Sequence, residues 1–325
     1  MRVALVYNRP LTEGNEAALC SADVLEQVEG VRQALLELGQ EPVLFPLSRA
    51  EAPRLPAALR SAGVECAFNL VETLDEDPRL QGHVTILYEL AGVPYTGSDL
   101  LALSLTTDKY LAKKVLAAAG VPTPRFALYT GGAVPGGLHF PVIVKPRCED
   151  GSVGIEQDSV APGPAELAAV LARLLPRHPE LLVEEYVAGR ELNVALLGYP
   201  EPEALPVAEI EFCALAGCWP IVSYQAKWVE ASPEYSATPR LFPTDAAALA
   251  TRDVAIECFR LFGCRDYARV DLRLSPEGVA YVLEVNANPC LSPQAGFCAA
   301  LEQAGIPYRD FVGRLLSFAL QRGPR

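Results

Sequence analysis

The sequence predicts an α/β domain built on a parallel sheet, followed by α+β subdomains, and three observations predict it. Its 325 residues, half of them apolar, are too many for one compact core. Through the first hundred residues short apolar runs alternate with amphipathic ones, the rhythm of strands linked by crossover helices. Further on, strand-like runs follow one another with turn signals between them and only occasional helical runs.

In order, apolar runs at 3–7, 42–47 and 64–70 read as strands, and an amphipathic run at 24–38 reads as a helix closed by Gly39. A helical run at 81–90 ends at Gly92 and leads into Val93-Pro94-Tyr95-Thr96-Gly97, a strand and turn that close the domain. No G-x-G-x-x-G follows the first strand, so a dinucleotide fold is not supported. A helix over 107–119 stops at Gly120, before Pro122 and Pro124 bar continuation. Residues 131–137, rich in glycine, form a surface loop. A strand at 141–146, a glycine-containing loop at 147–154, a helix at 165–175 and strands at 181–187 and 191–197 come next. Strands near 205–212 and 220–226, a helix at 245–262 ended by Gly263, a hairpin over 267–286 and helices at 294–304 and 308–320 complete the chain.

The net charge of −13 argues against a nucleic-acid surface or an anionic membrane, since both want excess Lys and Arg. No run of 18 apolar residues is present, and the opening Met1-Arg2-Val3-Ala4-Leu5-Val6-Tyr7 turns polar too soon for a secretion signal. A cytoplasmic protein is expected. Nine scattered cysteines without a C-x-x-C pair read as reduced core thiols, and His83, His139 and His178 suggest neither triad nor metal helix. The 27 basic residues include only five lysines: Lys109, Lys113, Lys114, Lys145 and Lys227. Lysine is a compact point charge suited to a nucleotide phosphate. Lys113 and Lys114 fit a solvated helix face, whereas Lys145 ends an apolar run and asks for a reason.

The strongest constellation lies in the hairpin. With its turn centred on Pro276 and Glu277, position 271 falls opposite 282 and 269 opposite 284. Arg269, Asp271, Glu284 and Asn286 then share one face, and Val270, Leu272, Tyr281, Leu283 and Val285 the other. Two carboxylates and an amide in one patch suit Mg²⁺, although a solvated face of paired charges gives the same pattern. Asn286-Ala287-Asn288-Pro289 favours the ligand reading, because an Asn-rich strand end before proline presents side chains. A second element, Lys145-Pro146-Arg147-Cys148-Glu149-Asp150-Gly151-Ser152-Val153-Gly154, lets backbone N–H groups curl round a phosphate, although an ordinary hairpin connection is the more frequent origin of such a loop. A third carries Glu184 and Glu185 after an apolar strand, with Glu191 seven residues beyond Glu184. Glu184 and Glu191 at that spacing can serve the two ends of an adenosine, although solvated charge is the plainer reading.

Taken in order, the motifs resemble the D-alanine:D-alanine ligase branch of the ATP-grasp superfamily. They are Leu80-Gln81-Gly82, Pro94-Tyr95-Thr96-Gly97-Ser98, Asp108-Lys109, Val144-Lys145-Pro146, Ser152-Val153-Gly154, Glu184 with Glu191, Lys227, Arg269-Val270-Asp271 and Glu284-Val285-Asn286 with Pro289. The resemblance implies an N-terminal pre-ATP-grasp, Rossmann-like domain (1–103) and a two-part ATP-grasp fold, with a small central subdomain (104–188) and a C-terminal subdomain carrying the metal site (189–325). It implies ATP as cofactor and two Mg²⁺ ions, with Mn²⁺ an acceptable substitute, held by Asp271, Glu284 and Asn286. Lys109 and Lys145 would contact phosphates, the Gly151-Ser152 loop would cover the γ-phosphate, and Glu184, Glu185, Val187 and Glu191 would hold adenosine. Lys227 would belong to a loop closing over the phosphates, and Arg269 would stabilise the tetrahedral intermediate. The implied activity joins a small carboxylate to an amine, amino-acid or peptide-like, through an acyl phosphate, in a homodimer. An inactive or regulatory ATP-binding protein of the same fold is the alternative.

Departures gather where that family recognises its amino acids. Tyr7-Asn8-Arg9-Pro10-Leu11-Thr12-Glu13 replaces a glycine-rich loop, although Glu13 keeps the spacing of the acid that binds the first substrate's ammonium. The region of Asn69 lacks the family's histidine, and Gly151 stands for the first of two serines. Trp228 takes the place of a tyrosine, Cys290 that of an oxyanion-hole glycine, and Ala295 that of the serine expected to hold the acceptor's carboxylate. These changes favour an acid and amine other than the D-alanine pair, with D-alanine dipeptide synthesis still open.

Overall fold

A computed structural model describes residues 1–10 and 16–324. The N-terminal sheet takes strands β1 (Arg2–Asn8), β2 (Glu41–Leu47) and β3 (Cys66–Leu70), all parallel in the order β2-β1-β3. Helices α1 (Glu16–Glu37), α2 (Leu55–Ala62) and α3 (His83–Ala91) make the crossovers. Gly39 and Gly92 follow α1 and α3 in left-handed conformation. Both faces of β1 are buried, as in a sheet covered on two sides. Alternation divides its residues: Ala4 and Val6 pack with α2 and α3, while Val3, Leu5 and Tyr7 face α1 and the chain's last helices.

The helix expected over 107–119 is α5 (Lys109–Ala119), and a further helix that was not expected, α4 (Leu100–Thr107), precedes it. Asp108 breaks between them with extended backbone, and its carboxylate caps α5 by accepting from Leu111 N–H at 3.0 Å. An antiparallel sheet follows, ordered β4-β7-β5-β6, from β4 (Phe126–Tyr129), β5 (Val142–Pro146), β6 (Val160–Ala161) and β7 (Leu181–Glu185). Helix α6 (Pro164–Leu174) covers the face made by Val142, Val144, Leu181 and Val183. Alternation therefore turns Ile143, Lys145, Leu182 and Glu184 to the other face.

The third sheet runs β11-β10-β8-β12-β13, from β8 (Arg190–Gly198), β10 (Ala208–Ile210), β11 (Arg240–Leu241), β12 (Asp266–Leu274) and β13 (Ala280–Asn286), with β9 (Glu203–Ala204) beside β8. Helix α9 (Ala246–Leu261) and α5 cover its apolar face. The strand expected at 220–226 is instead a connection into two short helices, α7 (Tyr224–Trp228) and α8 (Pro233–Ser236). Ser223 caps α7, its hydroxyl accepting from Ala226 N–H at 3.0 Å. At Gly189 (φ +134°), which enters β8, a Cβ would lie 2.1 Å from Leu274 O, so only glycine lets β8 approach the end of β12.

The chain ends in α10 (Gly296–Gln303) and α11 (Tyr308–Arg322), and α11 buries Phe311, Val312, Leu315 and Leu316 in the same core as Val3, Leu5 and Phe68. Asp266, fully buried at the start of β12, ties these regions together. Its carboxylate accepts from Gly97 N–H at 2.7 Å and pairs with Arg322, which also donates to Tyr95 O at 2.8 Å. No helix among the described residues is long and apolar enough to cross a membrane. Of the eight described cysteines, all free, Cys66, Cys258, Cys264 and Cys298 are the core thiols expected, but Cys213 and Cys218 are exposed and Cys148 and Cys290 half-buried. Arg322→Ala strands the Asp266 carboxylate in the interior and should lower stability by about 3 kcal/mol, against under about 1 kcal/mol for Arg2→Ala in its exposed pair with Glu41. Urea denaturation of both variants checks the difference.

Candidate active site

The hairpin register differs from the sequence expectation in two places. Its turn is a three-residue loop with Gly278 at φ +83°, which shifts pairing by one residue, and a bulge between Asp271 and Leu272 shifts it by one more. The shifts compensate in facing. Asp271 pairs with Glu284 and Arg269 with Asn286, so the four polar residues share a face as expected. Between bulge and turn the parity is reversed, and Val282 joins the core while Tyr281 and Leu283 stay half-buried.

On that face Arg269 grips Asp271 with two hydrogen bonds of 2.8 and 2.7 Å. Asn193, on β8, donates to Asp271 at 2.8 Å, and the Asn286 amide donates to Asp271 at 3.1 Å and to Glu284 at 3.4 Å. Lys109 reaches across from α5, its ammonium 2.9 Å from Asp150 and 3.5 Å from Glu284. Burial opposes charge on Glu284, but Lys109, Lys145 and Arg269 outweigh it and hold this carboxyl well below the usual range. Burial pushes Asp271 up despite Arg269, and the Glu284 charge adds to the rise.

Facing this cluster, Lys113 and Lys145 close on the Glu184 carboxylate, Lys113 at 2.7 Å. Glu184 and Lys113 are each 1% exposed, so the surface role expected for Lys113 is wrong. Burial pulls Lys113 below its usual value and Lys145 repels it further, while Glu184 pulls the other way. The Glu184 carboxylate is thus a buried counter-charge that sets two lysines in place. Glu191, the other predicted adenosine acid, pairs with Arg273 at 2.8 Å. Glu185 turns away, accepting from His139 N–H at 2.8 Å, and Val187 is half-buried just beyond β7.

The glycine loop holds Gly151 and Ser152 at φ +65° and +61°. Ser152 donates to Val222 O at 2.9 Å, and the Trp228 indole N–H to Gly151 O at 2.7 Å, so this loop and the segment carrying Lys227 are stitched together. Lys227 lies 5.4 Å from the Trp228 ring. Glu13 falls outside the described residues.

The site also collects residues that spacing did not reveal. Asp23 accepts from Ser292 at 2.6 Å and from the Cys290 thiol at 2.8 Å, and Gln27 donates to Glu72 at 2.8 Å. Burial lifts the Glu72 carboxyl to about 7, with Asp23 and Asp150 adding to the rise and Gln27 and Lys227 opposing it. Asn193 had a signal in sequence, as a polar residue in step with Glu191 along an apolar strand. Asp23, Glu72 and Cys290 had none, because only the fold gathers them.

The donor set fits magnesium. Glu284 keeps 28% of its side chain exposed with Lys109 3.5 Å away, and the Asn286 amide oxygen is left as an acceptor. Magnesium takes few protein ligands and completes its shell with phosphates and water. No group of three or more His, Cys, Asp or Glu side chains able to hold a metal occurs among the described residues.

A polar face of paired carboxylates and an arginine, opposed by lysines and a glycine loop across two antiparallel sheets, defines the ATP-dependent ligases of the ATP-grasp fold. The D-ala D-ala ligase C-terminus family model matches residues 130–317. A D-alanine–D-alanine ligase of Moorella thermoacetica is 31% identical over 332 residues, spanning 99% of this chain and 100% of that one. An uncharacterized protein, y4sG, of Sinorhizobium fredii is 36% identical over 318 residues, 97% of this chain and 91% of its own. The D-alanine–D-alanine ligase of Bacillus anthracis, solved in complex with ATP, superposes with a TM-score of 0.77 at 21% identity, covering 99% of this chain and 98% of that one. The chain therefore belongs to the D-alanine–D-alanine ligase family.

Glu72 should make stability depend on pH. Its folded value of about 7 lies above the ordinary 4.5, so the native state keeps a proton that the unfolded state releases. That contribution is complete below pH 4.5 and lost as pH rises through 7. Thermal melts of Glu72→Gln and the parent should therefore diverge in the variant's favour between pH 5 and 8; a constant gap would exclude the assignment.

Proposed function

We propose that this ligase couples ATP cleavage to amide formation between a small carboxylic acid and a small amine, by way of an acyl phosphate. The observation that carries the reading is the convergence of Lys109, Arg269, Asp271, Glu284 and Asn286 on one face opposite Lys145. Lys109 and Lys145 hold carboxylates where a triphosphate would compete for them, and a phosphate is the stronger partner for a point charge. Asp271, Glu284 and Asn286 would hold two Mg²⁺ ions, which when bound neutralise charge on the transferring phosphoryl group. Positioning and electrostatics then do most of the work, as in phosphoryl transfer generally. Arg269, kept oriented by Asp271, faces the carbonyl oxygen that becomes negative when the amine attacks.

Adenosine would lie between the two sheets near Glu184, Glu185, Val187 and Glu191. The bonds from Ser152 and Trp228 support a lid made of 147–154 and 223–237, which shields the acyl phosphate from water. Glu13 would take the first substrate's ammonium. The Cys290 thiol bonded to Asp23, and Ala295 in place of a serine, support substrates other than the D-alanine pair that names its relatives. The three sheets fall one in each of 1–103, 104–188 and 189–325, which supports division of the chain at those bounds. A cytoplasmic homodimer completes the reading.

Phosphate release from ATP and Mg²⁺, screened over acids and amines beginning with D-alanine, tests the function, and mass spectrometry of the product names the pair. A flat signal over the whole panel sinks the proposal. Glu284→Gln removes a metal charge at nearly constant volume and should abolish turnover while leaving the denaturation midpoint near the parent's. Trp228→Phe deletes one lid hydrogen bond worth about 1 kcal/mol, so KM for ATP should rise roughly fivefold. Steady-state kinetics at saturating acid and amine measure it.

A further inference from the structure

Arg273 stands on β12 two residues beyond Asp271, and it shares a face with Arg269 and Asp271 because Val270, Leu272 and Leu274 turn into the apolar core. Directly across from it on β8 is Glu191. With 4% of its side chain exposed, Arg273 makes three hydrogen bonds. Its Nη1 donates to Gly189 O at 3.0 Å, and its Nη2 donates to Glu191 Oε2 at 2.8 Å and to Pro220 O. Its Cζ lies 5.5 Å from the centre of the Tyr186 ring and 5.1 Å from that of Phe212. Pro220 O also accepts from the Tyr186 hydroxyl at 3.2 Å. One guanidinium thus joins the link between β7 and β8, the Glu191 carboxylate and the segment that enters α7.

A buried ion pair is a poor way to fill space, since apolar side chains of like volume commonly replace one without loss of stability. What this pair supplies is a fixed carboxylate. Arg273 takes only Oε2; no hydrogen bond to Oε1 is found among the described residues, and 13% of the Glu191 side chain stays exposed. Burial pushes the Glu191 carboxyl up, Arg273 opposes that rise and Asp271 adds to it. With one oxygen anchored and the other open, the carboxylate presents an acceptor in a single direction.

We infer that Arg273 is a positioning residue for nucleotide recognition: it fixes Glu191 so that Oε1 accepts from a ribose hydroxyl, and the site thereby prefers a ribonucleotide to one lacking that hydroxyl. This rests on the placing of adenosine beside Glu191 in the function proposed above. The acceptors on Gly189, Glu191 and Pro220 suit a planar fork, and an ammonium meets them only in part.

Titration of ATP and of 2′,3′-dideoxy-ATP, which lacks both ribose hydroxyls, into the full chain with Mg²⁺ tests the role without needing turnover. The parent should bind ATP roughly tenfold to a hundredfold more tightly, the range for a hydrogen bond to a charged group. Arg273→Met should weaken ATP and leave the dideoxy nucleotide nearly unchanged, so that the ratio falls severalfold, and Arg273→Lys should keep part of it. Glu191→Gln should lower the ratio as well, and adding Arg273→Met to that variant should lower it no further, because Arg273 acts through Glu191. If Arg273→Met alone does not fold, Arg273→Lys decides: a lowered ratio supports the role and a parental ratio overturns it. Equal weakening of both nucleotides marks Arg273 as a strut and overturns the proposal, as does a parent that binds the two alike or neither. Phosphate release measured alongside separates the two readings: no turnover with the expected binding pattern sinks ligation and leaves Arg273 assigned.

Discussion

Lys109 is wedged between Asp150 and Glu284, and Lys113 and Lys145 close on Glu184, so carboxylates neutralise the site's buried ammonium groups. The rest of the site depends on this pairing. A buried charge without a partner costs several kcal/mol, and each of these is tolerable only because its neighbour is present. The arrangement also prepares the lysines for a ligand. Carboxylates hold them in position in the free protein, and a polyphosphate offers more negative charge in the same place. On the proposed function, these few fixed cations would hold an anion despite the chain's net charge of −13.

The fold supplies these positions through strand alternation. β5 and β7 turn Lys145 and Glu184 to one side because Val142, Val144, Leu181 and Val183 are consumed by α6. β12 and β13 turn Arg269, Asp271, Glu284 and Asn286 to theirs because Val270, Leu272 and Val285 are consumed by α5 and α9. The helix that carries Lys109 begins where Asp108 caps it, and the same carboxylate pairs with Arg147 in the glycine loop at 2.5 Å. One residue therefore fixes both the lysine and the loop.

Much of this was legible in the sequence, and the failures have physical causes. Periodicity located the parallel sheet, α6, α9 and the hairpin, because long apolar patterns reflect burial directly. It misread 220–226, where Ile221 is buried against Ile143 and Val160 of the second sheet and Tyr224 N–H donates to Ile155 O, without either lying in a strand. It also missed α4 and began α5 two residues early, since the capping Asp108 looks in sequence like a solvated acid. The shared polar face of the hairpin survived an error in register because a bulge and a turn of unexpected length changed the parity twice. Lysine scarcity marked Lys145 but was misjudged at Lys113, whose partner Glu184 is distant in sequence. The pocket of Asp23, Glu72 and Cys290 was invisible for the same reason.

Helix α11 lies in the core of the first sheet, sharing it with Val3, Leu5 and Phe68. During synthesis that sheet emerges from the ribosome long before the residues that cover it. Its apolar side stays open to solvent, or to chaperones, until Phe311 and Leu315 arrive, so completion of the N-terminal domain is a late event in folding.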